Sequence, residues 1–396
     1  MLSLPSARYR CTSCGDCCRG WGIPLETGEA AAFKRLAAPL VPAERLVNAV
    51  TRVRQGGQEI EILAGGGRSC AALQEDQLCA IHGAHGEAAK PKVCRVFPLT
   101  FTATPTAVRV GLSYACPAVI DAEGSPLTEQ RAEIEAVFAA VDGSHHVVRV
   151  GEQVHLADGL DLPWKDAERF IAELAASFRA GGTLAERASR AAAIAAQVRD
   201  QLREGAAFDA ALAAATEGAP ALVAEFLAEP PEVDRMTHML FRTLVKSTER
   251  QSAARVIGTL FSSLFGGGTL RLRTGGEVAW RDVEAVAPGA GAEGEALLAR
   301  WFAGSLEACT FFGPVAFDLS LIGGLSLLAL SASVCVFLAR AHAAHESRSS
   351  VTYEDVKRGL RQLDAGVTHR RSNMPGGFGR GVAGIASLDL LRTQLS

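Results

Sequence analysis

Apolar and polar residues alternate over 59–63, and again over 99–104 and 107–114 on either side of a Thr104-Pro105 turn, the period-two pattern of strands that bury one face. After residue 121 the period lengthens. Apolar positions recur at helical spacing over 128–141, 164–180, 184–204 and 232–265, the last long enough to be two helices. A hairpin is predicted over 147–156, turning at Gly151-Glu152, and the Gly/Pro/Ala stretch 287–294 reads as a linker. Together these patterns predict an α+β module over 1–121 followed by a mainly α-helical domain over 122–396, with a subdomain linker near 287–294.

One segment breaks the amphipathic pattern. Residues 319–339 carry no charge for 21 positions between Asp318 and Arg340, which is long enough to span a bilayer. Four serines and the pair Gly323-Gly324 dilute its apolar character, no aromatic belt flanks it, and helical patterning resumes after Arg340. A buried core helix is the expectation.

Charge narrows the partners. A net charge of -3 supplies no basic field for nucleic acid or an anionic membrane. The first ten residues lack the apolar run of a secretory signal, so a cytoplasmic, reducing compartment is expected. There, clustered thiols persist as metal ligands or redox groups rather than as structural disulfides.

Eight of the ten cysteines fall in the first third of the chain: Cys11, Cys14, Cys17, Cys18, Cys70, Cys79, Cys94 and Cys116. Cys11, Cys14 and Cys17 repeat at CxxCxxC spacing, which lets one tight loop turn several thiolates toward a centre. Cys18 directly follows Cys17; adjacent side chains diverge, so Cys18 is expected to serve a second centre or a larger cluster, or, first among the eight, to be a bystander. Cys70 and Cys79 bracket a turn at Gln74-Glu75-Asp76, and Cys79-x-x-His82 is a spacing zinc sites also use, which adds His82 to the candidate ligands. Cys116 precedes Pro117, like the remote Cys-Pro of some ferredoxin clusters. Buried thiols without a ligand role are the bland alternative, but their crowding argues for metal. Zinc and iron both accept tetrahedral thiolates, so one iron–sulfur cluster plus one zinc, two clusters, or fewer centres fit the pattern.

The segments Cys11-x-x-Cys14-x-x-Cys17-Cys18, Cys79-x-x-His82 and Pro91-x-x-Cys94-x-x-Phe97-Pro98 resemble the CxxCxxCC zinc- or iron-chelating family, the YkgJ-like cysteine-cluster proteins. Within it, Gly20-Trp21 and Gly86-Glu87 look like the flagellin lysine N-methylase subgroup. That resemblance implies an iron–sulfur or related metal site. It further implies transfer of a methyl group from S-adenosylmethionine to a lysine of a protein substrate such as flagellin. The CxxxCxxC arrangement of radical S-adenosylmethionine enzymes is absent from 11–18. A non-catalytic zinc-binding interaction protein and an iron–sulfur electron carrier are the alternatives; no catalytic residue is assigned.

Other motifs are read conservatively. Gly289-x-Gly291-x-x-Gly294 matches a dinucleotide fingerprint but sits in the linker behind only a doubtful strand at 283–286, and Gly266-Gly267-Gly268 stands where a helix must end. Cys309 and Cys335 are expected to be core thiols, and His342 with His345, like His145 with His146, to be solvated or locally hydrogen-bonded pairs. The basic runs 358–361 and 369–371 are expected on exposed helix surface.

Overall fold

The alternation at 59–63 places Ile60 and Ile62 on one face and leaves Glu59 and Glu61 on the other, and that segment becomes the middle strand of a small sheet. The computed structural model describes residues 1–19, 22–55, 58–64, 69–229, 231–233, 235–248, 268–316, 318–367 and 387–395. Residues 1–165 mix strands and helices, and the remainder is mainly helical, as the patterning predicts. Contacts divide the chain into two compact units, Met1–Phe101 with Cys116–Val148 and Thr102–Ala115 with Arg149–Ser396.

In the first unit, β1 (Leu2–Ser3) opens the chain and β2 (Ile23–Leu25), β3 (Val50–Gln55) and β4 (Gln58–Leu63) follow. β4 lies between β2 and β3, antiparallel to both, with Ile23 opposite Leu63 and Val53 opposite Ile60. Short helices surround this sheet: α1 (Glu29–Ala37), α2 (Ala43–Val47), α3 (Ala80–His85), α4 (Lys92–Val96), α5 (Pro117–Ile120) and α6 (Arg131–Val141). Ile23, Leu25, Phe33, Leu63 and Ile81 form a core cluster against which Cys70 is buried and Cys18, Cys79 and Cys94 pack. Cys18, Cys79 and Cys94 thus sit at the edge of the apolar core, and Cys70 inside it.

The second unit begins at the predicted Thr104-Pro105 turn, where β5 (Leu99–Ala103) meets β6 (Val108–Leu112) and Thr104 donates its N–H to the Ala107 carbonyl at 2.8 Å. The hairpin expected over 147–156 is corrected. β7 (Val147–Arg149) runs beside β5, Val150 donating to the Ala103 carbonyl at 2.8 Å, while β8 (Gln153–Ala157) pairs instead with β9 (Leu160–Pro163). Asp158-Gly159 makes that turn because Gly159 supplies the positive φ of 71° that a tight hairpin requires.

Helices α7 (Trp164–Arg179) and α8 (Leu184–Arg203) fall where the periodicity predicts. α8 is opened by a capping box in which Thr183 and Glu186 satisfy each other's backbone N–H groups. α9 (Phe208–Ala228) went unassigned in the sequence because its alanines give little amphipathic contrast. α10 (Arg235–Ser247) covers the first part of the predicted 232–265 helix; 249–265, like Gly266-Gly267, Gly20-Trp21 and 369–371, lies outside the described residues. A hairpin of β10 (Thr269–Arg271) and β11 (Glu277–Ala279) leads into α11 (Trp280–Glu284), which occupies the place of the doubtful strand at 283–286. α12 (Gly291–Glu307) starts inside the expected linker, so Gly291 and Gly294 are helical and the dinucleotide reading lacks its strand.

The uncharged segment forms α13 (Leu321–His345), capped by the Ser320 hydroxyl, which accepts the Gly323 N–H at 3.1 Å. α14 (Tyr353–Val367), α15 (Ser387–Leu395), α10, α11 and α8 pack around it, burying nearly its whole length. Two described helices, α9 and α13, are long and apolar enough to cross a membrane; only α13 is enclosed by protein, as a core helix is. Arg340 does not end it. Its guanidinium is buried and donates to the Val286 carbonyl at 3.1 Å, the Glu284 carbonyl at 3.0 Å and Gln394 Oε1 at 3.0 Å.

His342 corrects the expectation of a solvated pair with His345. It is 2% exposed, its Nε2 has no hydrogen-bond partner, and burial first, then the Arg358 charge, lowers its pKa to about 4. A neutral native imidazole facing a protonated unfolded one means that unfolding takes up a proton below the ordinary value of 6.5. Stability is therefore expected to fall as pH drops from 6.5 to 4, by about 3 kcal/mol from this residue. Denaturant unfolding of His342→Phe across that range should lose this part of the slope; an unchanged slope would refute the assignment.

Candidate metal centre

The CxxCxxCC segment is shaped by one glycine. Gly15 holds φ 72°, and a Cβ there would stand 3.1 Å from Leu73 Cδ1 and 3.2 Å from the Gln77 carbonyl, so a side chain would be strained by the backbone and crowded by its neighbours. The chain then closes a single 3-10 turn over Asp16–Cys18, with the Cys18 N–H on the Gly15 carbonyl at 2.9 Å. That turn overrides the divergence expected of adjacent side chains: the sulfurs of Cys17 and Cys18 lie 3.9 Å apart.

A second loop is fastened to the first. Cys70 donates its N–H to the Cys18 carbonyl at 2.8 Å, and Arg45 of α2 donates to the Cys70 carbonyl at 3.4 Å and to that of Leu73. The turn predicted between Cys70 and Cys79 is present: Gln74 donates to the Leu78 carbonyl at 2.8 Å, and Leu73 bridges Cys79. Cys79 then caps α3, Cys94 lies within α4, and Cys116 caps α5, where Pro117 at the first helical position needs no N–H partner.

The electrostatics show which thiols face one another. Cys70 is pushed up to about 11 by burial and by the neighbouring Cys79 and Cys17, although the Arg45 charge opposes this. Cys94 is pushed up by burial and by Cys70, Cys17 and Cys79, with Lys90 opposing. Cys18 is pushed up by its hydrogen bond with Cys17, by burial, and by Cys17, Cys70 and Cys94; Cys17, favoured by that same bond and by Lys90, is lowered to about 7. Cys116 is raised to about 11 by burial first and then by Cys14 and Cys17. Tyr9, whose phenol is hydrogen-bonded to Cys11, is raised by burial and then by Cys116, Cys11 and Cys17.

Two neighbourhoods emerge from these couplings. Cys18, Cys70, Cys79 and Cys94 form one, Cys11, Cys14 and Cys116 with Tyr9 form the other, and Cys17 faces both. His82 is exposed on α3, outside this network of thiols that shift one another. Cys309 and Cys335 are buried in the second unit, the latter with Sγ 3.8 Å from the Val356 carbonyl. No sequence pattern marks Tyr9 or Arg45; Tyr9 precedes Cys11 by two residues, and only its folded position places it beside the thiols.

Zinc or iron fits this donor set. Thiolates gathered this closely destabilise one another's charged forms, and a bound cation reverses that penalty, while Lys90 and Arg45 offset the negative charge that remains.

Residues 10–117 match the family model CxxCxxCC, described as "Putative zinc- or iron-chelating domain". The match starts one residue before Cys11 and ends one residue after Cys116, so it encloses all eight thiols. No curated protein and no solved structure matches the chain. The first part of the chain is therefore similar to a zinc- or iron-chelating domain, which supports metal binding there, and a mainly helical region follows it.

Proposed function

We propose that the domain chelates zinc or iron at two four-thiolate centres, one of Cys11, Cys14, Cys17 and Cys116, the other of Cys18, Cys70, Cys79 and Cys94. The observation that supports this reading is the Cys17–Cys18 pair, whose sulfurs are 3.9 Å apart. Both thiols are neighbours of Cys70 and Cys94, and it is Cys17, not Cys18, whose charge is also felt at Cys116. The first set has the CxxCxxC and Cys-Pro spacing of iron–sulfur ligation, and the second has its thiols on short loops and helix ends, as structural zinc does. Bound iron would supply one-electron chemistry and bound zinc a structural clasp; the chain's own contribution is to hold eight thiolates beside Arg45 and Lys90.

Of the zinc that the reconstituted wild-type protein holds, about two ions are expected to be thiolate-bound, four thiolates serving each, counted by protection of the thiols from alkylation beside metal analysis. Cys116→Ser and Cys94→Ser should each lose about one, and Cys309→Ser none. A Cys94→Ser protein that keeps its full metal content would sink the two-centre reading. The narrower reading drawn from the resemblance, methyl transfer from S-adenosylmethionine to flagellin lysine, is tested separately by a methyl mass increment on that substrate.

A further inference from the structure

A second cluster of metal-ligating side chains lies in the first unit and contains no cysteine. Glu26 follows β2, and His145 and His146 precede β7, more than a hundred residues later; their ligand atoms all lie within 4.8 Å of one another. Glu26 Oε1 is 3.6 Å from His145 Nδ1 and 3.9 Å from His146 Nε2, too far for hydrogen bonds. Both Glu26 Oε1 and His146 Nε2 are inaccessible to water and have no hydrogen-bond partner. A carboxylate oxygen and an imidazole nitrogen that face each other in this way are costly unless something between them accepts both lone pairs.

The spacing identifies what that is. Three ligands at about 2.0–2.2 Å from a tetrahedral ion stand about 3.4 Å apart, close to the 3.6 Å and 3.9 Å that separate Glu26 Oε1 from the two imidazole nitrogens. The carboxylate is fixed for one-oxygen ligation, since Lys92 Nζ holds its other oxygen at 2.6 Å. Glu29, at the start of α1, accepts the Glu26 N–H at 2.8 Å and the Lys92 N–H at 2.7 Å, fixing both backbones. The two rings lie 4.0 Å apart, so the neighbouring histidines converge instead of diverging. Burial and the His145 charge lower His146 to about 4, which keeps that ring neutral at physiological pH.

We propose that Glu26, His145 and His146 form a separate site for a divalent first-row metal ion, zinc or iron(II), with two imidazoles and one carboxylate as ligands. His145 is exposed, so the fourth position opens to water and the ion is exchangeable. This site does not depend on the thiolate centres.

Cobalt(II) is the probe, because thiolate-bound cobalt shows intense sulfur-to-metal charge-transfer absorption and a histidine–carboxylate site does not. The full-length protein should bind one more cobalt per chain, by metal analysis, than the charge-transfer signal accounts for. His145→Ala, a change at an exposed side chain, should weaken that extra ion by about 10-fold to 100-fold with the charge-transfer signal unchanged. Lys92→Met, which removes the ammonium that orients the carboxylate, should weaken it by about tenfold, again with the charge-transfer signal unchanged. Equal cobalt content and affinity in wild type and His145→Ala, or no weakening in Lys92→Met, would overturn the proposal.

Discussion

Stripping the metal with a chelator is expected to melt the sheet and loops of the cysteine domain while the helices around α13 persist. Metal binding in small thiolate modules is folding energy, about 10–16 kcal/mol for a structural zinc, which equals or exceeds the total stability of an ordinary domain. The domain has little to replace it. Beside Ile23, Leu25, Phe33, Val41, Leu63, Leu73 and Ile81, its core cluster is filled by Ala30, Ala37, Ala49, Ala64, Ala71, Ala72 and Ala80. Each alanine buries little apolar surface. The loops carrying Cys17, Cys18 and Cys70 are joined by isolated backbone bonds such as Cys70 N–H to the Cys18 carbonyl, not by ladders. Hydrogen exchange reads the outcome: the amides of Ile23, Leu25 and Leu63 should lose protection on chelation and those of Leu330 and Val334 should keep it. Protection retained in both places would show that apolar packing alone holds the domain.

Gly324→Val is expected to cost more than about 4 kcal/mol and to unfold the second unit at 37 °C. A Cβ at Gly324 would lie 2.0 Å from the carbonyl oxygen of Phe311 and 2.8 Å from its carbon. Those are backbone atoms, flanked by the buried rings of Phe311 and Phe312, so neither partner can withdraw without opening the core. Gly83→Ala makes the control: it lies in α3, nothing stands within 4 Å of its Cβ position, and helix propensity predicts a gain of up to about 1 kcal/mol. Denaturant unfolding followed by helical circular dichroism separates the two, and a Gly324→Val protein with wild-type midpoint would contradict the packing described for α13. The same geometry explains Gly323-Gly324, which in the sequence only diluted an apolar run.

Much of the local structure was legible because its causes are local. The Thr104-Pro105 turn sets β5 against β6, the amphipathic stripes of α7 and α8 declare themselves at helical period, and Thr183 with Glu186 marks where α8 begins. The failures have physical causes too. Residues 147–156 carry strand character at both ends, but the choice of partner belongs to the sheet, and β8 found β9 across a better turn. α9 hides in alanine, and α13 runs past Arg340 because carbonyls of Val286 and Glu284 satisfy a charge that looked like a terminus.

For the site, the sequence by itself determined the chemistry: eight thiols crowded into one third of a chain, at spacings that suit zinc or iron and in a segment that matches a metal-chelating domain. Only the tertiary structure decided which segments meet. Residues 11–18, 70–79, 94 and 116 come together through Gly15, Arg45, the starts of α3 and α5 and the middle of α4, so that Cys18 lies near Cys70 and Cys94, and Cys17 near these and Cys116. The pairing of Glu26 with His145 and His146 was invisible for the same reason. Ligand spacing within one loop is written in the sequence, whereas convergence of distant segments depends on long-range packing that no local pattern encodes.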